Sequence, residues 1–196
     1  MLKAKSRIKD LCELHHGKYI EGRWGKGPYM VLNYKGFEMV FDFYTVNAGQ
    51  ANMIYTRMRC VFKHGQLFKF KMRKASWLFK FLKSTTLTFE DLNLDGRYQI
   101  KGSDEGIVHN LLKEGRLSDY LNFRKFYNFE INQKTNRGLK CEPGESGIIF
   151  YTSGAIKDDE EIQKIIDLYK ITLDTLVALN LSSEGPVKTK LYEMKS

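Results

Sequence analysis

Phe37, Met39, Phe41 and Phe43 alternate without a break with Glu38, Val40, Asp42 and Tyr44. A period of two puts successive side chains on opposite faces, so this segment is a strand with one face in a core and the other solvated or half covered. Such one-sided strands belong to antiparallel sheets, because strands of parallel sheets are buried on both faces and read as continuous apolar runs. The neighbouring segments extend the pattern into a meander. Residues 19–24 are strand-like, Gly25-Lys26-Gly27-Pro28 is a turn, and residues 29–34 lead through Lys35-Gly36 into the alternating strand. After the loop Asn47-Ala48-Gly49-Gln50, a long strand over 52–62 turns at Lys63-His64-Gly65-Gln66 and returns over 67–73. The expectation is five consecutive antiparallel strands.

Helical periodicity occurs in three places. Ile8, Leu11, Cys12 and His15 recur at helical spacing before Gly17 stops the element. Ser103 is a candidate cap for a helix with Asp104 and Glu105 in its first turn, which carries Ile107, Val108, Leu111, Leu112 and Leu117 and is weakened by Gly106 and Gly115. The strongest stripe is Ile162, Ile165, Ile166, Tyr169, Leu173, Leu176 and Val177, begun by Asp158 and Glu161. Further strand signals at 126–132 and 148–152 flank a turn at Asn136-Arg137-Gly138. With strands and helices in runs rather than in single alternation, the fold class is α+β: an antiparallel meander with an N-terminal, a central and a long C-terminal helix packed on the sheet. At 196 residues and 42% apolar content the chain suits one domain over 1–181, with halves near 1–84 and 94–181, and a mobile polar tail over 182–196.

The charge is as uneven as the hydrophobicity is regular. Residues 43–89 hold nine Lys or Arg and no Asp or Glu, while the other 149 residues balance, so the net charge of +9 arises in one quarter of the chain. On the expected hairpin, Tyr55, Arg57, Arg59 and Lys63 share one strand face, and Lys69, Lys71 and Arg73 share one face of the returning strand. A short amphipathic segment over 75–83 continues it. These seven residues are the candidate contact surface for an acidic protein, an anionic lipid surface or a single-stranded nucleic acid stacked on Tyr55. Two structural roles compete with that reading. Lysines on an edge strand block edge-to-edge pairing, and Glu38 and Asp42 across a meander would neutralise Arg57 and Arg59.

Other chemistry has weaker footing. Cys12-x-x-His15-His16 and Cys60-x-x-x-His64 supply zinc-type ligands, but a four-residue strand separation spans about 13 Å. Cys60 or Cys141 with His109 would be a nucleophile and base only if the fold joined them. The run Asp158-Asp159-Glu160-Glu161 is explained by helix-start electrostatics, and no helix follows Gly22-Arg23-Trp24-Gly25-Lys26-Gly27 to make it a phosphate loop. A hydrophobic ligand between meander and helices is chemically compatible with thirteen Phe, eleven Tyr and seven Met. No cofactor is implied, and the reading is a binding or scaffold domain without a catalytic site, the single-strand binder being its alternative. Three dispersed cysteines and no signal-like amino end point to the cytoplasm or the cytoplasmic side of a membrane.

Five stretches together resemble a prokaryotic family of uncharacterised proteins. They are Leu14-His15-His16-Gly17, Gly22-Arg23-Trp24 with Pro28, Tyr55-Thr56-Arg57, the box Leu94-Asp95-Gly96-Arg97-Tyr98-Gln99-Ile100 running into Asp104-Glu105, and the final helix after a strand pair. Leu94 and Tyr98 depart conservatively from the family's pattern. The resemblance implies the α+β fold and no established activity. Members often carry this domain behind membrane helices, which implies a membrane role for those members.

Overall fold

The computed structural model describes residues 2–22, 27–48, 51–74, 87–92, 94, 98–121, 127–134, 137–183 and 185–191. The expected amphipathic segment at 75–83 lies outside them, as do Trp24, Gly49, Gln50, Asn136, residues 95–97 of the central box and the last five residues of the expected tail.

Four strands form the expected antiparallel meander: β1 (Lys18–Ile20), β2 (Tyr29–Tyr34), β3 (Phe37–Ala48) and β4 (Ala51–Lys63). The next four are β5 (Phe70–Lys74), β6 (Tyr98–Gly102), β7 (Asn128–Asn132) and a long strand at Glu145–Ser153, numbered β9 because β8 (Leu139–Lys140) precedes it. All eight make one antiparallel sheet in the order β1-β2-β3-β4-β9-β7-β5-β6. The expected fifth meander strand is therefore displaced. Strand β5 runs antiparallel to β4, but β9 and β7 lie between them, about 14 Å across three strand spacings. The reason is burial. Strand β9 is buried without a break from Ser146 to Thr152, so it takes the centre beside β4, and the lysine-bearing β5 moves toward the edge.

All three expected helical regions pack on one face. Helix α1 (Leu2–Leu14) contributes Ile8 and Leu11, α2 (Glu105–Gly115) and α3 (Leu117–Leu121) contribute Val108, Leu111 and Leu117, and α4 (Asp159–Ala178) contributes its whole stripe. The sheet answers with the alternating set Met30, Met39, Phe41, Met58, Cys60, Ile148, Phe150, Phe129 and Met72. Tyr169 of α4 is sunk into this layer. Its hydroxyl accepts from Phe150 N at 2.8 Å and donates to the carbonyl of Met58, pinning helix to sheet backbone. Helix starts follow local chemistry: Asp158 Oδ1 accepts from Glu160 N, and Asp104 Oδ1 accepts from Ile107 N, both at 2.9 Å. Asp104 thus caps α2 in place of the expected Ser103, whose hydroxyl accepts from Lys69 N. Arg116, at φ +45°, separates α2 from α3.

Among the described residues the second face carries no helix. A two-stranded ribbon of β8 and β10 (Lys190–Leu191) lies there instead, with Val61, Leu139, Ile149, Tyr151 and Val187 in a small separate cluster. Gly147 makes room for it, since a Cβ there would stand 2.3 Å from Leu139. Within the expected mobile tail, residues 185–191 are packed: Val187 bridges to Phe37, and Thr189 donates to the carbonyl of Glu38 while accepting from Val61 N. A tail with one inward residue per two has no helical stripe to announce it.

Candidate functional site

On the helix-free face the sheet register lines charged residues up in rows. One row reads Val40, Arg59, Ile149, Glu130, Lys71 and Lys101, and the next reads Asp42, Arg57, Tyr151, Asn128, Arg73 and Gln99. Alternation therefore placed the basic side chains on a common face, as the sequence implies, but at two separate stations.

The central station is closed. Arg57 meets Asp42 as a two-pronged pair, Nε to Oδ1 at 2.9 Å and Nη2 to Oδ2 at 2.7 Å, and Arg59 Nη2 reaches the same Oδ2 at 2.8 Å. Arg57 also donates to the carbonyl of Arg137, and Arg59 to that of Gly138 at 3.1 Å. The 137–138 turn thus roofs the cluster, leaving Arg59 1%, Arg57 6% and Asp42 8% exposed. Burial alone would raise the Asp42 carboxyl, but Arg59 and Arg57 outweigh it and hold it below the usual carboxylate value. Burial pushes the Arg59 guanidinium down to about 10, so it stays charged near neutrality. The flanking aromatic faces are occupied as well: Arg57 lies 4.0 Å from the Tyr44 ring, Tyr44 stacks on Tyr55 at 5.3 Å, and Arg137 lies 4.2 Å over Tyr151. Of the two acids expected opposite the arginines, Asp42 is there, whereas Glu38 accepts from Thr189 N instead.

The lateral station is open. Lys71, Arg73, Gln99 and Lys101 line a concavity of about 250 Å³ on β5 and β6. Lys71 stands directly opposite Lys101, and Arg73 donates through Nε to Gln99 Oε1 at 2.7 Å. Glu130 offsets part of the charge, 3.3 Å from Lys71. Among the described residues no carboxylate pairs with Lys101. Of the other expected residues, Lys63 lies at the far end of β4 opposite Glu145, and Lys69 precedes β5. The seven candidates thus do not form one ribbon: Arg57 and Arg59 are neutralised, Tyr55 is stacked, and Lys71 and Arg73 lie together at the lateral station. Sequence reading missed Gln99 and Lys101. Their signal was the alternation of Tyr98, Gln99, Ile100 and Lys101, two residues on the helix side of the sheet and two on the opposite side, where Gln99 is buried and Lys101 exposed.

The zinc and nucleophile candidates are not assembled. Among the described residues no group of three His, Cys, Asp or Glu is placed to hold a metal. His109 contacts Asp91 at 2.8 Å and the Phe89 ring, not a cysteine. Burial drives the Cys60 thiol far up and the Cys141 thiol to about 11, away from the thiolate that a nucleophile needs. Among the described residues no helix is long and apolar enough to cross a membrane.

No family model matches the chain, and no curated protein does. The crystal structure of the mycobacterial trehalose monomycolate transport factor A, TtfA, is similar, with a TM-score of 0.53 over 92% of this chain and 98% of that one. At 10% identity the likeness is one of fold.

Proposed function

We propose that this protein is a binding domain without catalytic chemistry, and that it holds an anionic partner in the recess of Lys71, Arg73, Gln99 and Lys101. One observation carries the reading. Lys71 and Lys101 are directly opposed on neighbouring strands, an arrangement of like charges that opposes folding unless something gains from it. A bound anion would be attracted by both ammonium groups and by the Arg73 guanidinium, and the Gln99 amide adds a neutral donor. The buried Asp42 cluster supports the same division of labour, because Arg57 and Arg59 are already paired with Asp42 inside the protein.

Labelled single-stranded RNA and DNA and a labelled polyglutamate would be titrated by fluorescence anisotropy across a salt series. Binding of at least one probe, weakened about tenfold in a Lys71→Ser/Lys101→Ser variant, is the expected result. With three phosphate contacts the log–log salt slope for an oligonucleotide is about −2. Preference for the oligonucleotides would establish the single-strand alternative, and preference for polyglutamate an acidic protein partner. No binding of any probe at low salt, or equal binding by the variant, rejects the recess as a site.

A further inference from the structure

The ladder between β3 and β4 stops short of the strands that make it. Strand β3 begins at Phe37 and β4 runs to Lys63, yet their pairing ends at Met39 opposite Cys60. Continued in the same register, it would set Glu38 opposite Val61 and Phe37 opposite Phe62. A strap of residues 185–191 stands in that gap. Val187 pairs parallel to Phe37, donating to the carbonyl of Gly36 at 3.1 Å and accepting from Glu38 N at 3.2 Å. Two residues on, the Thr189 hydroxyl accepts from Val61 N at 3.0 Å and donates to the carbonyl of Glu38, so it bridges two strands that would otherwise bond directly.

The two groups that Thr189 joins are complementary to each other. Val61 N is a donor and the Glu38 carbonyl an acceptor, so with Thr189 withdrawn they can meet in the continued ladder and neither is orphaned. The rest of the hold on the strap is slight. Val187 is its one buried apolar side chain, in a small cluster with Val61, Leu139, Ile149 and Tyr151 that is separate from the main core. Its β10 residues set Lys190 directly opposite Lys140, two like charges that share Glu142 at 3.6 and 2.8 Å. A segment held in this way belongs to the low-stability end of a fold and has a seated and a released state.

What the strap restrains is the roof of the arginine cluster. Arg137 and Gly138, whose carbonyls accept from Arg57 and Arg59, run straight into β8, and among the described residues the strand that β8 pairs with is β10 of the strap. Leu139 of β8 and Val187 of the strap also pack in the same cluster. Beneath the roof two guanidinium groups share the single carboxylate of Asp42, which leaves them a surplus positive charge. We infer that residues 185–191 are a latch on this cluster. Seated, the strap holds β8 and with it the roof over Arg57 and Arg59. Released, it frees β8, and the buried pair opens as a second cationic site for an anion. The latch acts on the central station and does not depend on the recess.

The test is modification of the full chain by phenylglyoxal, with the rate at Arg57 and Arg59 followed by mass spectrometry and hydrogen exchange of the β9 amides as an internal control. Strand β9 pairs with β4 on the side away from β3, so unfolding of β4 exposes the arginines and the β9 amides together, whereas release of the strap exposes the arginines alone. In a Val187→Ser/Thr189→Ala variant the two arginines are modified about tenfold faster than in wild type, and exchange in β9 is unchanged. As a second readout, Lys140→Cys/Lys190→Cys in a Cys141→Ser background is bridged by a short bismaleimide across the opposed positions. The bridged form is modified at Arg57 and Arg59 several-fold more slowly than the unbridged one. Equal arginine rates in wild type and the strap variant, or in bridged and unbridged forms, overturn the inference, and so does an arginine rate that rises only together with exchange in β9.

Discussion

Arg57 and Arg59 lie on β4 at the centre of the sheet, and Lys71 and Arg73 lie on β5 beside its edge; both pairs face away from the helices and share the same two rows. The central pair has a carboxylate between its guanidinium groups and a turn for a roof. In the pair beside the edge, Lys71 has Glu130 on one side and Lys101 on the other, and Arg73 donates to Gln99. The difference is one of cover: a carboxylate and a described turn close the central pair, and in the reading proposed above the lateral pair is the contact group. Removing Asp42 breaks the central station most severely. Asp42→Asn leaves two arginines buried without a counter-charge, and a loss of about 3–5 kcal/mol in urea unfolding is expected. Because the Asp42 carboxyl is depressed in the folded state, its contribution is complete above pH 4 or so and disappears as pH falls through its folded value, below 3.8. Stability measured from pH 6 to pH 2 should fall more steeply in wild type than in Asp42→Asn. A smaller penalty with parallel pH curves would mean that the roof alone holds the arginines.

The roof is the next point of attack. Gly138 has φ +77°, and a Cβ there would stand 2.9 Å from an Nη1 of both Arg57 and Arg59. Gly138→Ala should cost about 1–2 kcal/mol for the left-handed backbone alone, read as a lower urea midpoint. Probe binding at the recess should be unchanged, since β9 and β7 lie between. Coupled loss of both would show that the two stations are one site.

Those two positions also mark what was legible in the chain. The strand of 37–44, the four-strand meander and the stripe of α4 follow from periodicity that adjacent residues enforce. The pairing of Asp42 with Arg57 was legible for the same reason, because β3 and β4 are sequence neighbours in direct register. The roof was not, since Arg137 and Gly138 reach Arg57 and Arg59 across about eighty residues of chain, and nothing in a turn tripeptide states what it covers. The placement of β5 failed for a related reason. Alternation in 68–73 fixes which residues share a face, and it is silent on whether β4 or β7 lies alongside. Lys101 entered the recess through a further non-local pairing, that of β6 with β5.

The smallest effect bears on why the recess exists. Lys101 opposes Lys71, and Lys71 already has Glu130 on its other side, so the three charges alternate until the last strand and then repeat. Lys101→Glu would continue the alternation and should stabilise the protein by about 0.2–1 kcal/mol, seen as a higher urea midpoint. The same change should abolish binding of the anionic probes, because it turns the mouth of the concavity from cationic to mixed. Gain of stability with loss of binding is the signature of a site maintained against folding, which an edge lysine kept only to block sheet pairing would not give. A Lys101→Glu protein that is less stable than wild type would show that the lysine makes a favourable contact, and the recess would then be an ordinary solvated edge.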